Sequence, residues 1–295
     1  MRCLVTGGAG FIGSNLALEL QQDGHEVVVV DNFFTGHENN LQGFDGEVLR
    51  ADVSQPFDAG ERYDAVFHQA AITDPRHPSD DETWQQNTEG FERIIELARR
   101  CEAKLVYASS ASLYGHGAAP QSEDQPKDLL SAYARSKLWM DERAAKLAGE
   151  MHIVGLRYFN VFGPRELHKG RPASMIYHLT RQMKGGSRPR LFRSGEQKRD
   201  HIYVADVVRS NLLALEAPSD VYNVGTGVAT TFNELVTYIN EALGTDLQPE
   251  YIDNPYTGTY QDHTQADTTR AESRLGFTCR YTTRQGVLEY APTID

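Results

Sequence analysis

Thr6-Gly7-Gly8-Ala9-Gly10-Phe11-Ile12-Gly13 is the stretch that decides the fold of this 295-residue chain. It joins the apolar run 2–6 to residues 11–22, in which Ile12, Leu16 and Leu20 recur every four positions. The first run reads as a buried strand and the second as a helix with one apolar face. Between them, Gly7, Gly10 and Gly13 form GxxGxxG. Such a turn uses backbone conformations that glycine adopts freely, and it lets main chain approach a pyrophosphate. The helix amino end then offers unpaired N–H groups and a positive dipole to that anion. Asp31 ends the next strand-like run, at the separation of roughly 20 residues that places a carboxylate on the ribose hydroxyls. The spacing predicts a dinucleotide site made by Gly7, Gly10, Phe11, Ile12, Gly13, Asp31 and Asn32. Asp52 and Val53, after the third strand, are expected at the adenine edge.

Working outward, the first half alternates strand-like and helix-like stretches. Residues 2–6, 26–31, 47–51, 65–68, 104–108 and 153–158 are short, apolar and flanked by turn formers. Residues 11–22, 83–100 and 132–150 carry helical periodicity; Phe91, Ile94, Ile95 and Ala98 mark one face of the second. This alternation predicts an α/β fold, a Rossmann-like doubly wound parallel sheet that binds ligands at the carboxyl ends of its strands. Beyond Pro164 the pattern loosens, with helices expected at 173–184 and 232–243, a strand at 221–224 and a turn-rich tail from Gly244. The expected organisation is a dinucleotide-binding domain over 1–162, to which residues about 200–226 return, and a smaller α/β substrate lobe over 163–295.

Composition narrows the class. Lys plus Arg is 29 and Asp plus Glu is 41, for a net charge of −12. That balance speaks against nucleic acid and against an anionic membrane surface as partners. No apolar run reaches the length of a membrane span, about 18 residues. The three cysteines, Cys3, Cys101 and Cys279, have no metal-site spacing, so neither a metal nor a disulfide framework is expected. The chain reads as cytoplasmic. Its charge is uneven, however. Segment 163–199 holds ten Lys/Arg against two acids, a surplus of eight, which leaves the rest at −20. The basic minority is expected to meet an anionic, phosphorylated substrate.

Tyr133 and Lys137 form YxxxK, which on a helix places both side chains on one face. Lys137 can then hydrogen-bond a nicotinamide ribose, and its charge is expected to lower the tyrosine pKa for acid–base work. Upstream, Tyr107-Ala108-Ser109-Ser110-Ala111-Ser112-Leu113-Tyr114-Gly115 sits at a strand end. A hydroxyl there, with Ser110 the first choice, would orient the reacting oxygen.

The glycine turn, the YxxxK pair and the serine-rich strand end together resemble the extended short-chain dehydrogenase/reductase family, whose members act on nucleotide-diphosphate sugars. The resemblance spans the chain, including residues 199–207 and 222–227. It implies a tightly held NAD that oxidises a sugar carbon and returns the hydride, with Tyr133, Lys137 and Ser110 catalytic. It also implies cofactor contacts from Ala70, Asn87 and Val161. Dehydratases and decarboxylases of the family carry carboxylates where this chain has Ala111-Ser112-Leu113, which leaves epimerisation. Residues 157–170, ending His168-Lys169-Gly170, and Thr264-Gln265-Ala266-Asp267 resemble the ADP-glycero-manno-heptose 6-epimerases. That resemblance implies Lys169 as a second catalytic base and substrate contacts from Thr73, Asn160, His178, Phe192, Ser194, Arg199 and Tyr260. NADP-using relatives carry a lysine where this chain has Glu38; a second carboxylate beside Asp31 disfavours a 2′-phosphate, so NAD is expected over NADP. A UDP-hexose 4-epimerase and a net NAD-dependent nucleotide-sugar reductase or dehydrogenase are the alternatives. The family also implies a homo-oligomer joined through the helical faces 83–100 and 132–150.

Overall fold

The computed structural model describes residues 1–60, 62–255 and 261–295. Six strands of the first half, β1 (Arg2–Thr6), β2 (Glu26–Asp31), β3 (Glu47–Arg50), β4 (Ala65–His68), β5 (Lys104–Ser110) and β6 (Ile153–Tyr158), alternate with three helices. These are α1 (Phe11–Gln22), α2 (Asp80–Cys101) and α3 (Ala132–Leu147). After β6 come β7 (Asn160–Phe162), α4 (Met175–Lys184), β8 (Arg190–Phe192), β9 (Lys198–Tyr203), α5 (Val204–Ala214) and β10 (Val221–Val224). β11 (Ala229–Thr231), α6 (Phe232–Leu243), β12 (Glu250–Ile252) and α7 (Thr283–Tyr290) complete the chain.

The large sheet has seven strands in the order β10-β6-β5-β4-β1-β2-β3, and every pairing in it is parallel. Its central strands are buried and mostly apolar because both faces are covered. Cys3, Val5, Val27, Val29 and Phe67 pack against α1 and α5, where Leu16, Leu20 and Val207 are buried. Leu4, Val28, Val66 and Leu105 pack on α2 and α3 through Phe91, Ile94, Ile95 and Met140. Strand order reverses between β1 and β4, which opens a crevice at their carboxyl ends.

The smaller lobe gathers α4, α6 and α7 around Ile176, Leu179, Leu235, Ile239 and Val287. It carries a three-stranded sheet, β11-β9-β7, and a parallel pair, β12-β8. Two helices are additions to the sequence-based expectation. α5 follows β9 directly, with no side-chain cap at Tyr203, so no breaker marks its start. α7 lies in the tail expected to be turns; Thr282 and Gln285 form a reciprocal capping box that starts it.

Candidate active site

A cavity of about 540 Å³ lies over the carboxyl ends of β1, β2, β4 and β5. The glycine turn forms one wall. Gly7 has φ +66°, and a Cβ on Gly13 would fall 2.2 Å from the Gly7 carbonyl oxygen, so that position tolerates no side chain without moving the turn. The N-cap of α1 is Gly10, which offers no side-chain oxygen to the first turn of the helix. Those N–H groups face the cavity wall and fit a pyrophosphate. Asp31 accepts from Ala9 N at 2.9 Å and Phe33 N at 2.7 Å. Burial pushes its pKa up against these hydrogen bonds. A Cβ on Gly36 would stand 2.9 Å from both Asp31 oxygens. Every residue expected to hold the cofactor lines this cavity: Gly7, Gly10, Phe11, Ile12, Gly13, Asp31, Asn32, Asp52, Val53, Ala70, Asn87, Lys137 and Val161. The residues therefore fit a dinucleotide.

Tyr133, Lys137 and Ser110 meet at the cavity floor. Ser131 caps α3 by accepting from Ala134 N at 3.2 Å, which starts the helix just before Tyr133. Lys137 is 1 % exposed and donates to Ala108 O at 2.7 Å. Burial pushes its pKa down to about 8, while the Asp141 carboxylate pulls the other way. Its ammonium lies 5.8 Å from the centre of the Tyr133 ring. Burial raises the Tyr133 pKa, and the group that lowers it is the Ser110 hydroxyl. Lys137, expected to lower it, is not among the groups that do so here; its ammonium donates to Ala108 O.

One turn beyond Lys137, the sequence reading missed Asp141. This buried carboxylate accepts from Tyr107 Oη (2.9 Å), Ser109 Oγ (3.0 Å) and Arg157 Nε (2.9 Å). It ties α3 to the end of β5 that carries Ser110. The i,i+4 spacing from Lys137 was the available signal. Phe34, His77, Gln86 and His168 also line the cavity without having been singled out.

Lys169 reaches the cavity from the 3₁₀ turn Leu167–Lys169. Its ammonium lies 5.3 Å from the Phe11 ring centre. Burial lowers its pKa, opposed by Glu166. Glu166 is fully buried and accepts from Ser174 N (2.6 Å), Ser174 Oγ (2.8 Å) and Gly163 N (3.2 Å), which fixes the turn against α4.

The expected substrate contacts divide. Thr73 lines the cavity. Asn160, His178, Phe192, Ser194 and Arg199 do not; Tyr260 lies outside the described residues. Asn160 Nδ2 donates to Asp200 O and Thr264 Oγ1, both at 3.1 Å. The His178 Nε2 is 3.2 Å from Arg171 O. Ser194 O accepts from Asn233 at 3.1 Å, Phe192 lies in β8, and Arg199 Nη1 donates to Lys198 O at 2.9 Å. The basic surplus of 163–199 is spent largely within its own lobe. Lys184 donates to Pro292 O at 2.9 Å, Arg188 to Gln248 O at 3.0 Å, and Arg193 pairs with Asp253 at 3.2 Å. Of the ten cations only Lys169 lines the cavity.

Comparison with known proteins agrees with this geometry. The sequence model of the NAD dependent epimerase/dehydratase family matches residues 3–225. An ADP-L-glycero-D-manno-heptose-6-epimerase of Brachyspira hyodysenteriae is 39% identical over 282 residues, covering 90% of this chain and 88% of that protein. The crystal structure of the Helicobacter pylori ADP-L-glycero-D-manno-heptose-6-epimerase superposes with a TM-score of 0.94 at 39% identity, covering 99% of this chain and 96% of that one. The Thermotoga maritima UDP-glucose 4-epimerase, solved with UDP-glucose, superposes with a TM-score of 0.89 at 29% identity, covering 99% and 98%.

Proposed function

The chain belongs to the NAD dependent epimerase/dehydratase family, and from that premise we propose that it is an ADP-glycero-manno-heptose 6-epimerase. The observation that carries the reading is that Tyr133 and Lys169, from different elements, line one cavity together with the dinucleotide turn. NAD held by the glycine turn, Asp31 and Lys137 would supply the hydride acceptor and donor. The chain supplies the proton chemistry. Ser110 orients the C6 oxygen, and Tyr133 takes the hydroxyl proton as the carbon is oxidised. Lys137 fixes the tyrosine face and offers its ammonium to the ribose. The ketone then turns, and Lys169 gives the proton when reduction occurs on the other face. Burial brings the Lys169 amine closer to the range in which it can give and take a proton near neutrality.

We assign NAD as the cofactor. The support is that the Asp31 carboxylate lines the cavity and would repel a 2′-phosphate, and that the Arg50 guanidinium is engaged by Glu38 while lying 4.1 Å from the Phe33 ring centre. We propose that a second copy of the chain docks on the α2–α3 face; the support is that Trp84 remains 39 % exposed beside Trp139. Among the described residues no helix is long and apolar enough to cross a membrane; a cytoplasmic setting is part of this reading.

The UDP-hexose 4-epimerase reading is kept because the Thermotoga maritima enzyme shares the fold over the whole chain. Separate incubations with ADP-glycero-manno-heptose and UDP-glucose decide between them. Interconversion of the heptose epimers without net change in nicotinamide absorbance supports the first; turnover of UDP-glucose alone removes it.

A further inference from the structure

The turn that carries Lys169 does not merely approach the dinucleotide turn; it is fastened to it. Asn40 is the main fastener. It is 7 % exposed, and its Nδ2 donates both to Ala9 O in the glycine turn, at 2.9 Å, and to His168 Nδ1, at 2.8 Å. Its own carbonyl oxygen accepts from Arg165 Nη1 at 3.1 Å. A second tie comes from α1, where Asn15 Nδ2 donates to Pro164 O at 3.0 Å. The fourth contact is the Lys169 ammonium over Phe11, the first residue of α1. Arg165 holds φ +72°, a left-handed conformation that is unfavourable for a residue with a side chain and persists only where the surroundings impose it.

We infer that residues 164–169 are a strap across the dinucleotide turn, latched by Asn40, so that retaining the cofactor and presenting Lys169 are one event. An epimerase must return the hydride it removed, so the cofactor has to stay through the turnover. A strap that also carries the second base ensures that protonation on the far face is available only while the dinucleotide is held. Asn40 and His168 are positioning residues here: they act through the strap. The part concerning Lys169 rests on the proposed second base; the retention part does not.

The test uses the holoenzyme loaded with NAD. Asn40→Ala removes both Nδ2 bonds, and His168→Leu cuts only the strap side and leaves Asn40 on Ala9. Dissociation of NAD is followed by dilution into an excess of unlabelled nucleotide. Hydride transfer, read as the absorbance of reduced nicotinamide on mixing with the sugar, is compared with epimerisation in the same samples. We expect NAD release to accelerate about tenfold in His168→Leu, as for the loss of one buried hydrogen bond, and at least as much in Asn40→Ala, which loses two. The ratio of epimerisation to hydride transfer should fall in both. The double variant should be no worse than Asn40→Ala, because one latch is being broken. Parent-like release in the folded variants overturns the inference, as does faster release with an unchanged ratio, or full additivity in the double variant. If Asn40→Ala fails to fold, His168→Leu decides by the same readouts. Parent-like epimerisation in Lys169→Met would remove the second base while leaving the release measurement to judge the strap alone.

Discussion

Asp141→Asn should both destabilise the protein and move its pH profile. Asp141 and Arg157 have side chains only 4% and 6% exposed, and Arg157 lies opposite Ser109 in the register of β5 and β6. Asparagine fills nearly the same volume and can still accept from Tyr107 or Ser109. It cannot balance the guanidinium, which is left buried with a charge its other partners, Tyr114 Oη and Glu123 O, do not neutralise. Breaking one side of a buried pair costs about 3–5 kcal/mol. For a chain of this size each kcal/mol lowers the melting midpoint by about 2–4 °C, so a fall of about 6–20 °C is expected. The second effect concerns Lys137, whose pKa of about 8 reflects burial, with Asp141 holding it from falling further. Its protonated form is the one that donates to the ribose, so activity should decline as pH rises past about 8. Removing the carboxylate favours the neutral amine, and the alkaline limb should move to lower pH. The other charged or titratable groups around this cluster, His68, Tyr107, Lys127, Arg157 and Tyr133, are present in both proteins. Calorimetry and a kcat–pH profile on the NAD-loaded enzyme check the two effects. An unchanged midpoint together with an unchanged alkaline limb would refute the reasoning.

Tyr133→Phe should lower kcat by about 10²–10⁴, the range of a lost general acid–base group, while NAD content stays at the parent level. Lys169→Met should lose epimerisation yet keep part of the hydride transfer, read as reduced-nicotinamide absorbance on mixing with the sugar; parent-like turnover removes Lys169 from the mechanism. Gly13→Ala should weaken NAD binding, because its Cβ meets the Gly7 carbonyl at 2.2 Å and the turn must shift. Overpacking of this kind costs about 1–3 kcal/mol, and calorimetric titration of the nucleotide-free protein checks it.

Much of the fold was legible because its signals are local. The expected strands at 2–6, 26–31, 65–68 and 153–158, and the helix at 11–22, coincide with the observed elements. Each is a continuous apolar run or a four-residue periodicity closed by turn formers. The cofactor wall was legible for the same reason, since a glycine turn and the residues beside it are neighbours in sequence. What escaped depends on distance. Asn40 is an ordinary loop residue until the fold brings His168 to it across 128 positions. Asp141 is one more acid on a helix until Arg157 arrives from the next strand. His178, Phe192, Ser194 and Arg199, the substrate contacts implied by resemblance, lie in the smaller lobe outside the lining of the dinucleotide cavity. α7 had a readable start in Thr282 and Gln285, which the turn-rich composition around it masked.

The most direct test of the central claim is a single incubation. Purified NAD-loaded protein is mixed with one C6 epimer of ADP-glycero-manno-heptose, and the sugar is followed by NMR alongside the nicotinamide absorbance. Approach to a mixture of the two C6 epimers with no net absorbance change is the expected result. A heptose that stays unchanged while UDP-glucose is epimerised at C4, or a stoichiometric net reduction of the cofactor, would contradict it.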